Sequence, residues 1–332
     1  MKISRRRMLS LSAVLSSALA LGVAALPAQA ATTLKLAETL PVGFPTTDAL
    51  TEMSGLLSDK TNGELKIEVY AGGQLGNEKE TIEQTQLGAI QLSRVNALVV
   101  ASIVDELNVL ALPYLFKDMA HMERMIDSPL GDELLDRITN QPRSRLVALT
   151  WIGAGARSML TTKKKIETAA DLQGQKIRVI ANPILSDAVQ AMGAAPVPLG
   201  FGDVFAGMQT GMLDGAEGAA PTLVSASFHR VGKHYSLTEH MIVPDVLVMS
   251  RRAWDKLTPA QQQAVKQSAK KAEKRQRELW QAAESQAVEA MRAAGVEVTA
   301  FKGKSELHQM TAPVREKYGS QHRDLITAIE GL

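Results

Sequence analysis

Roughly twenty residues separate two arginines, Arg157 and Arg178, that both sit in apolar, glycine-punctuated surroundings. Arg178 lies in Asp171-Leu172-Gln173-Gly174-Gln175-Lys176-Ile177-Arg178-Val179-Ile180, which reads as a helical turn, a glycine break and a short strand over 176–180. A strand flanked by Ile177 and Val179 has no structural use for a guanidinium at its centre. Buried arginine is costly and normally paired, and its planar fork matches a carboxylate with two parallel charge-assisted bonds. Arg178 therefore either holds a carboxylate ligand or sits at a strand end and points into water.

Three nearby features bear on the same chemistry. Asn182-Pro183 follows Arg178 where a strand should give way to a helix, a place that suits an asparagine cap. Phe201 stands in Pro198-Leu199-Gly200-Phe201-Gly202-Asp203, where two glycines leave its ring little local cover, so it either walls a ligand or joins the core. Met212-Leu213-Asp214-Gly215-Ala216-Glu217-Gly218 reads as a short strand ending in a loosened loop, and strand ends of α/β sheets are where ligands gather.

Signatures of catalysis are missing. The chain has no G-x-S-x-G elbow, H-E-x-x-H, P-loop or G-x-G-x-x-G after a strand. Its six histidines are scattered, and His229 and His234 are spaced poorly for a zinc site on one helix face. The reading is a binder, with no catalytic residues, metal or cofactor; a secreted hydrolase with an unfamiliar motif is the alternative.

The elements that must position these residues alternate between strand and helix signals. Strands are expected over 34–37, 65–70, 90–95, 145–151, 176–180, 213–217, 246–250 and 296–300, with helices over 48–60 and 78–87. Interleaving of this kind predicts α/β layers with largely parallel sheets. The clearest helix follows Thr258, with Pro259 in its first turn, Gln261 placed for a capping box and Gly295 as its stop. At ~1.5 Å per residue it would span roughly 54 Å, enough to serve two lobes as a shared spine unless it breaks in the charged stretch 270–277. Crossing points between lobes are expected near Ile152-Gly153-Ala154-Gly155 and Ile242-Val243-Pro244.

Composition limits the partners. Residues 1–30 carry a basic start (Lys2, Arg5, Arg6, Arg7), an apolar run and Ala28-Gln29-Ala30, the pattern of a removable export signal. Ser4-Arg5-Arg6-Arg7-Met8-Leu9 also fits a twin-arginine signal, with an ordinary basic n-region as the alternative. Losing those four basic residues and no acidic ones turns the formal +2 into −2, a balanced surface that suggests neither nucleic acid nor an anionic membrane as partner. With no cysteine, disulfides, thiolate metal sites and a lipidated N-terminal cysteine are excluded, so a freely soluble exported protein is expected.

Taken in order, these segments resemble the solute-binding proteins of tripartite ATP-independent periplasmic (TRAP) transporters, the DctP-type family. The likeness runs through Thr61-Asn62-Gly63-Glu64-Leu65-Lys66-Ile67, Gly73-Gln74-Leu75-Gly76-Asn77-Glu78, Leu112-Pro113-Tyr114-Leu115-Phe116, residues 171–179, 201–203 and 213–217, and Trp254-Asp255-Lys256-Leu257. The resemblance implies a two-lobed periplasmic-binding-protein-like α/β fold with a hinge. Lobe I would comprise 31–154 plus 244–283, and lobe II 155–243 plus 284–332. It also implies a small carboxylate ligand held by Arg178 with help from Arg157, Phe201 stacked beside it, and Glu78, Asn96 and Thr39 contacting the rest of the solute. Gly218 stands where the family often has asparagine, which implies a locally larger pocket and a changed or bulkier ligand. The implied partners are the small and large membrane subunits of a transporter. A periplasmic monomer is expected, and solute sensing for a receptor kinase is the alternative to transport.

Overall fold

The computed structural model describes residues 31–332, so the expected export signal and its twin-arginine reading lie outside the described residues. Eleven strands form two sheets: β1 Thr32–Ala37, β2 Leu65–Tyr70, β3 Leu92–Asn96, β4 Leu146–Ile152, β5 Arg157–Thr161, β6 Lys176–Val179, β7 Ala195–Pro198, β8 Gly215–Gly218, β9 His234–Met241, β10 Asp245–Ser250 and β11 Glu297–Ala300. The first sheet has the order β2-β1-β3-β10-β4 and the second β11-β9-β5-β8-β6-β7.

The sheets are largely parallel, as expected, with one reversed strand in each, β10 in the first and β5 in the second. β1 runs parallel to β2 and β3, whereas β10 is antiparallel to both β3 and β4. In the second sheet β5 is antiparallel to β8 and β9. The cause is connectivity. The chain leaves the first sheet through residues 153–156 and returns to it through 242–244, so β5 and β10 each enter a sheet from the side opposite its βαβ strands.

Helix Pro259–Ala293 links the two halves without a break across the charged stretch. Its start is fixed locally: Thr258 accepts from the Gln261 amide at 3.3 Å while the Gln261 side chain accepts from the Thr258 amide at 3.0 Å. Ala264, Val265, Ala269 and Ala272 pack with helix Pro45–Lys60 over the first sheet, and Ala287 and Met291 pack into the core of the second. Gln276 is fully buried and donates to the Gly153 carbonyl at 3.0 Å. One turn further, Trp280 presses on the same crossing segment. A Cβ at Gly155 would lie 2.8 Å from both the Ala219 Cβ and the Trp280 ring, so close approach rather than backbone flexibility requires glycine there.

The C-terminal helix Arg323–Glu330 folds back on helix Met119–Asp127, where His121 Nε2 lies 2.7 Å from the Ile329 carbonyl and Arg124 donates to the Leu332 carbonyl at 2.8 Å. No helix among the described residues is long and apolar enough to cross a membrane.

Candidate ligand site

Between the sheets lies a cavity of about 880 Å³, inside the range of small-molecule sites. The first-sheet side presents Thr39, Glu78, Arg94, Asn96 and Asp245; the second presents Arg157, Arg178, Phe201, Glu217 and Gly218; the long helix adds Trp280. Eight of the nine residues expected at the site therefore line one cavity.

Arg178 sits in β6 opposite Val197 of β7 and Ala216 of β8, only 5 % exposed. The reading in which it points into water is thus overturned. Its Nε donates to the Leu199 carbonyl at 2.9 Å, and its two terminal nitrogens have no hydrogen-bond partner among the described residues. Among the described residues no carboxylate pairs with it. Burial lowers its pKa to about 10; Glu217 opposes that fall, and the like charge of Arg157 deepens it. Phe201 offers its ring face 5.8 Å from the guanidinium carbon and leans on Phe228 at 5.3 Å, so the ring is cavity wall and core edge at once.

Arg157 is not equivalent to Arg178. Its Nε and Nη2 both bind the Glu217 carboxylate, the second at 2.6 Å, and only Nη1 lacks a partner among the described residues. The protein itself satisfies most of this fork and leaves Nη1 for a ligand. Burial raises the Glu217 pKa, but Arg157 outweighs it and holds the carboxyl well below the usual range.

The opposite wall is built around Arg94, 3 % exposed in β3, a residue the sequence reading passed over. Its Nε donates to Glu38 at 3.0 Å; one terminal nitrogen donates to Glu78 at 2.7 Å and Asp245 at 3.1 Å; the other donates to Glu38 and, at 2.9 Å, to Thr39. All five guanidinium donors are thereby matched. Glu78 opens helix Glu78–Leu87, which Asn77 caps, and also accepts from the Asn96 amide at 3.2 Å. The Asn96 side chain donates to Asp245 at 2.8 Å and accepts from the Leu98 amide. Burial pushes the Asp245 carboxyl up, Arg94 opposes it, and the nearby Glu78 charge adds to the rise.

Two expectations change. Asn182 does not line the cavity; its buried side-chain oxygen accepts from the amides of Ile184 and Leu185 and caps helix Pro183–Ala191. At Gly218 no extra space opens, because a Cβ there would lie 3.0 Å from a methyl of buried Leu223, whose side chain fills the place an asparagine would take. Among the described residues no cluster of potential metal ligands occurs.

Two sheets bridged by crossing segments and a shared helix, enclosing a cavity with an unmatched buried guanidinium, define a two-lobed binding protein for a small anionic solute. The sequence profile of bacterial extracellular solute-binding protein family 7 (DctP) matches residues 36–322, and the chain belongs to that family, the solute-binding proteins of TRAP transporters. It is 42 % identical to the Pseudomonas putida F1 TRAP periplasmic solute-binding protein crystallised with bound D-glucuronate, with a TM-score of 0.88 over 91 % of this chain and 97 % of that one. The Citrobacter koseri protein with bound D-glucuronate is 41 % identical, with a TM-score of 0.88 over 90 % of this chain and 98 % of that one. The same Citrobacter protein in its apo, open form matches with a TM-score of 0.79 over 89 % of this chain and 97 % of that one. The 2,3-diketo-L-gulonate-binding periplasmic protein YiaO of Escherichia coli is 30 % identical, covering 89 % of this chain and 92 % of its own length.

Proposed function

We propose that the protein captures a hexuronate-type sugar acid in the periplasm, without turnover, and hands it to the membrane subunits of a TRAP transporter. The observation that carries this reading is Arg178, a buried guanidinium with unmatched terminal donors that lines the cavity between the sheets. In this account the ligand carboxylate takes the Arg178 fork with a further bond from the Arg157 Nη1, Phe201 covers one face of the ring, and the hydroxyls reach Glu78, Asn96, Asp245 and Thr39. The glucuronate bound by the two solved relatives and the sugar acid named for the Escherichia coli protein support the substrate class.

The proposed lobes are 31–154 plus 244–283 and 155–243 plus 284–332, hinged at 153–156 and 242–244, with the last helix strapping back onto helix Met119–Asp127. Because carboxylate donors lie on one wall and hydroxyl acceptors on the other, a ligand touching both favours the closed state over the open one. Closure would then signal occupancy to the transporter, and the chain would act as a monomer.

Charge-assisted hydrogen bonds are worth roughly 1.5–3 kcal/mol each. Losing two would cost about 3 kcal/mol or more, over a hundred-fold in Kd. Calorimetric titration with D-glucuronate and D-galacturonate tests the reading. Binding by the wild type with at least that loss in Arg178→Ala is expected; absence of binding by both uronates, or an unweakened variant, refutes it.

A further inference from the structure

The cavity wall opposite Arg178 carries a surplus of negative charge. Three carboxylates, Glu38, Glu78 and Asp245, gather on the single guanidinium of Arg94. Glu38 is wholly enclosed behind Arg94, while Glu78 and Asp245 keep some exposure and line the cavity. Arg94 has no N–H to spare, since each of its five donors already has an acceptor. The Asn96 side chain gives one N–H to Asp245 and its oxygen accepts from the Leu98 amide; its second N–H has no partner among the described residues. Around Glu78 and Asp245 this wall therefore offers a ligand mostly acceptors; its buried cation is spent within the protein, and the other cation lining it, Lys79, is solvent-exposed.

Resting on the sugar-acid reading, we propose that Glu78 and Asp245, backed by Glu38 and a saturated Arg94, form a selectivity wall that accepts the hydroxyl-bearing end of a monoanionic sugar acid and rejects the second carboxylate of a sugar diacid. A hydroxyl brings a proton to a carboxylate acceptor. A carboxylate brings none, and in a partly desolvated cavity two like charges repel with little screening. The unmatched Arg178 on the far wall fixes polarity, drawing the ligand carboxylate to one end and leaving the other end to face the acids. Specificity then comes from a repulsive element as much as from an attractive one.

The experiment measures competition against bound D-galacturonate by D-galactonate and by galactarate, open-chain acids that differ only in whether the sixth carbon is an alcohol or a carboxylate. The wild type should prefer galactonate by about ten-fold or more, and Asp245→Asn and Glu78→Gln should each bring that ratio closer to one. The shift must be larger than any common loss of affinity for both acids, which a merely structural role would produce. Equal competition by both acids in the wild type overturns the proposal, as does a ratio unmoved in two folded variants. Failure of galactonate to displace galacturonate also overturns it, because the wall is taken to admit an open hydroxyl chain. If neither glucuronate nor galacturonate binds, the sugar-acid reading itself has failed; if they bind and galactarate binds as well as galactonate, only the selectivity wall has.

Discussion

Arg94 and Arg178 occupy corresponding stations, each at mid-strand in its own sheet, each almost wholly buried, each facing the same cavity. Arg94 gives every donor to the protein, and its paired state is held so strongly that Glu38, Asp245 and Glu78 raise its pKa despite burial. Arg178 gives one donor to a carbonyl, and burial lowers its pKa to about 10. The lesson is that burial of a charge says little about its role; the count of unmatched donors says more. A saturated guanidinium is scaffold, whereas an unsaturated one is a socket.

The largest effect that separates the two should be on folding. Arg94→Met strands three carboxylates in the interior, and removing one partner of a buried ion pair typically costs about 3–5 kcal/mol. Chemical denaturation of the unliganded protein should show that loss. Arg178→Met should leave unliganded stability level with or above the wild type, since it removes an uncompensated buried cation, yet binding should fall by over a hundred-fold. Reversed outcomes for the two variants would break the distinction.

Arg157 lies between these extremes, and pH sharpens its place. The Glu217 carboxyl is held well below its ordinary value of 4.5 in the folded protein. Its stabilising contribution is therefore complete above about pH 4.5 and drains away as the pH falls through the depressed folded value. Glu217→Gln should be destabilised at neutral pH by about 3 kcal/mol, because Arg157 is left without its carboxylate. It should also lose less stability than the wild type on acidification, as read by thermal melts from pH 7 to pH 3. The smallest effect is expected at Phe201, where alanine removes a ring 5.8 Å from the Arg178 guanidinium. That change should weaken binding by about ten-fold at most, with unliganded stability little altered.

Legibility in the sequence followed distance along the chain. The cap at Thr258 and the helix it starts were readable because both partners lie within one turn. Arg178 was readable because a charge interrupts an apolar strand, and Leu92-Ser93-Arg94-Val95-Asn96 displayed the same signal without being used. What no local reading could supply is that Arg94 is saturated, since two of its partners stand 56 and 151 residues away. The pairing of Arg157 with Glu217, 60 residues on, was hidden for the same reason.

Strands were lost where side-chain chemistry disguised them. β7 is Ala-Pro-Val-Pro, and its two prolines fit only because it lies at a sheet edge. β9 buries Ser236, Thr238 and His240, so polar residues occupy positions where an apolar alternation is sought. Asn182 shows the converse: a polar residue at the right place for a ligand spends its side chain on a helix terminus.

A crystal structure of the protein soaked with D-galacturonate tests the division between socket and scaffold most directly. The carboxylate should lie within about 3 Å of both terminal nitrogens of Arg178, with the Arg94 ion pairs intact. A carboxylate seated instead on Arg94, with Glu78 or Asp245 displaced to release it and Arg178 untouched, would contradict the account.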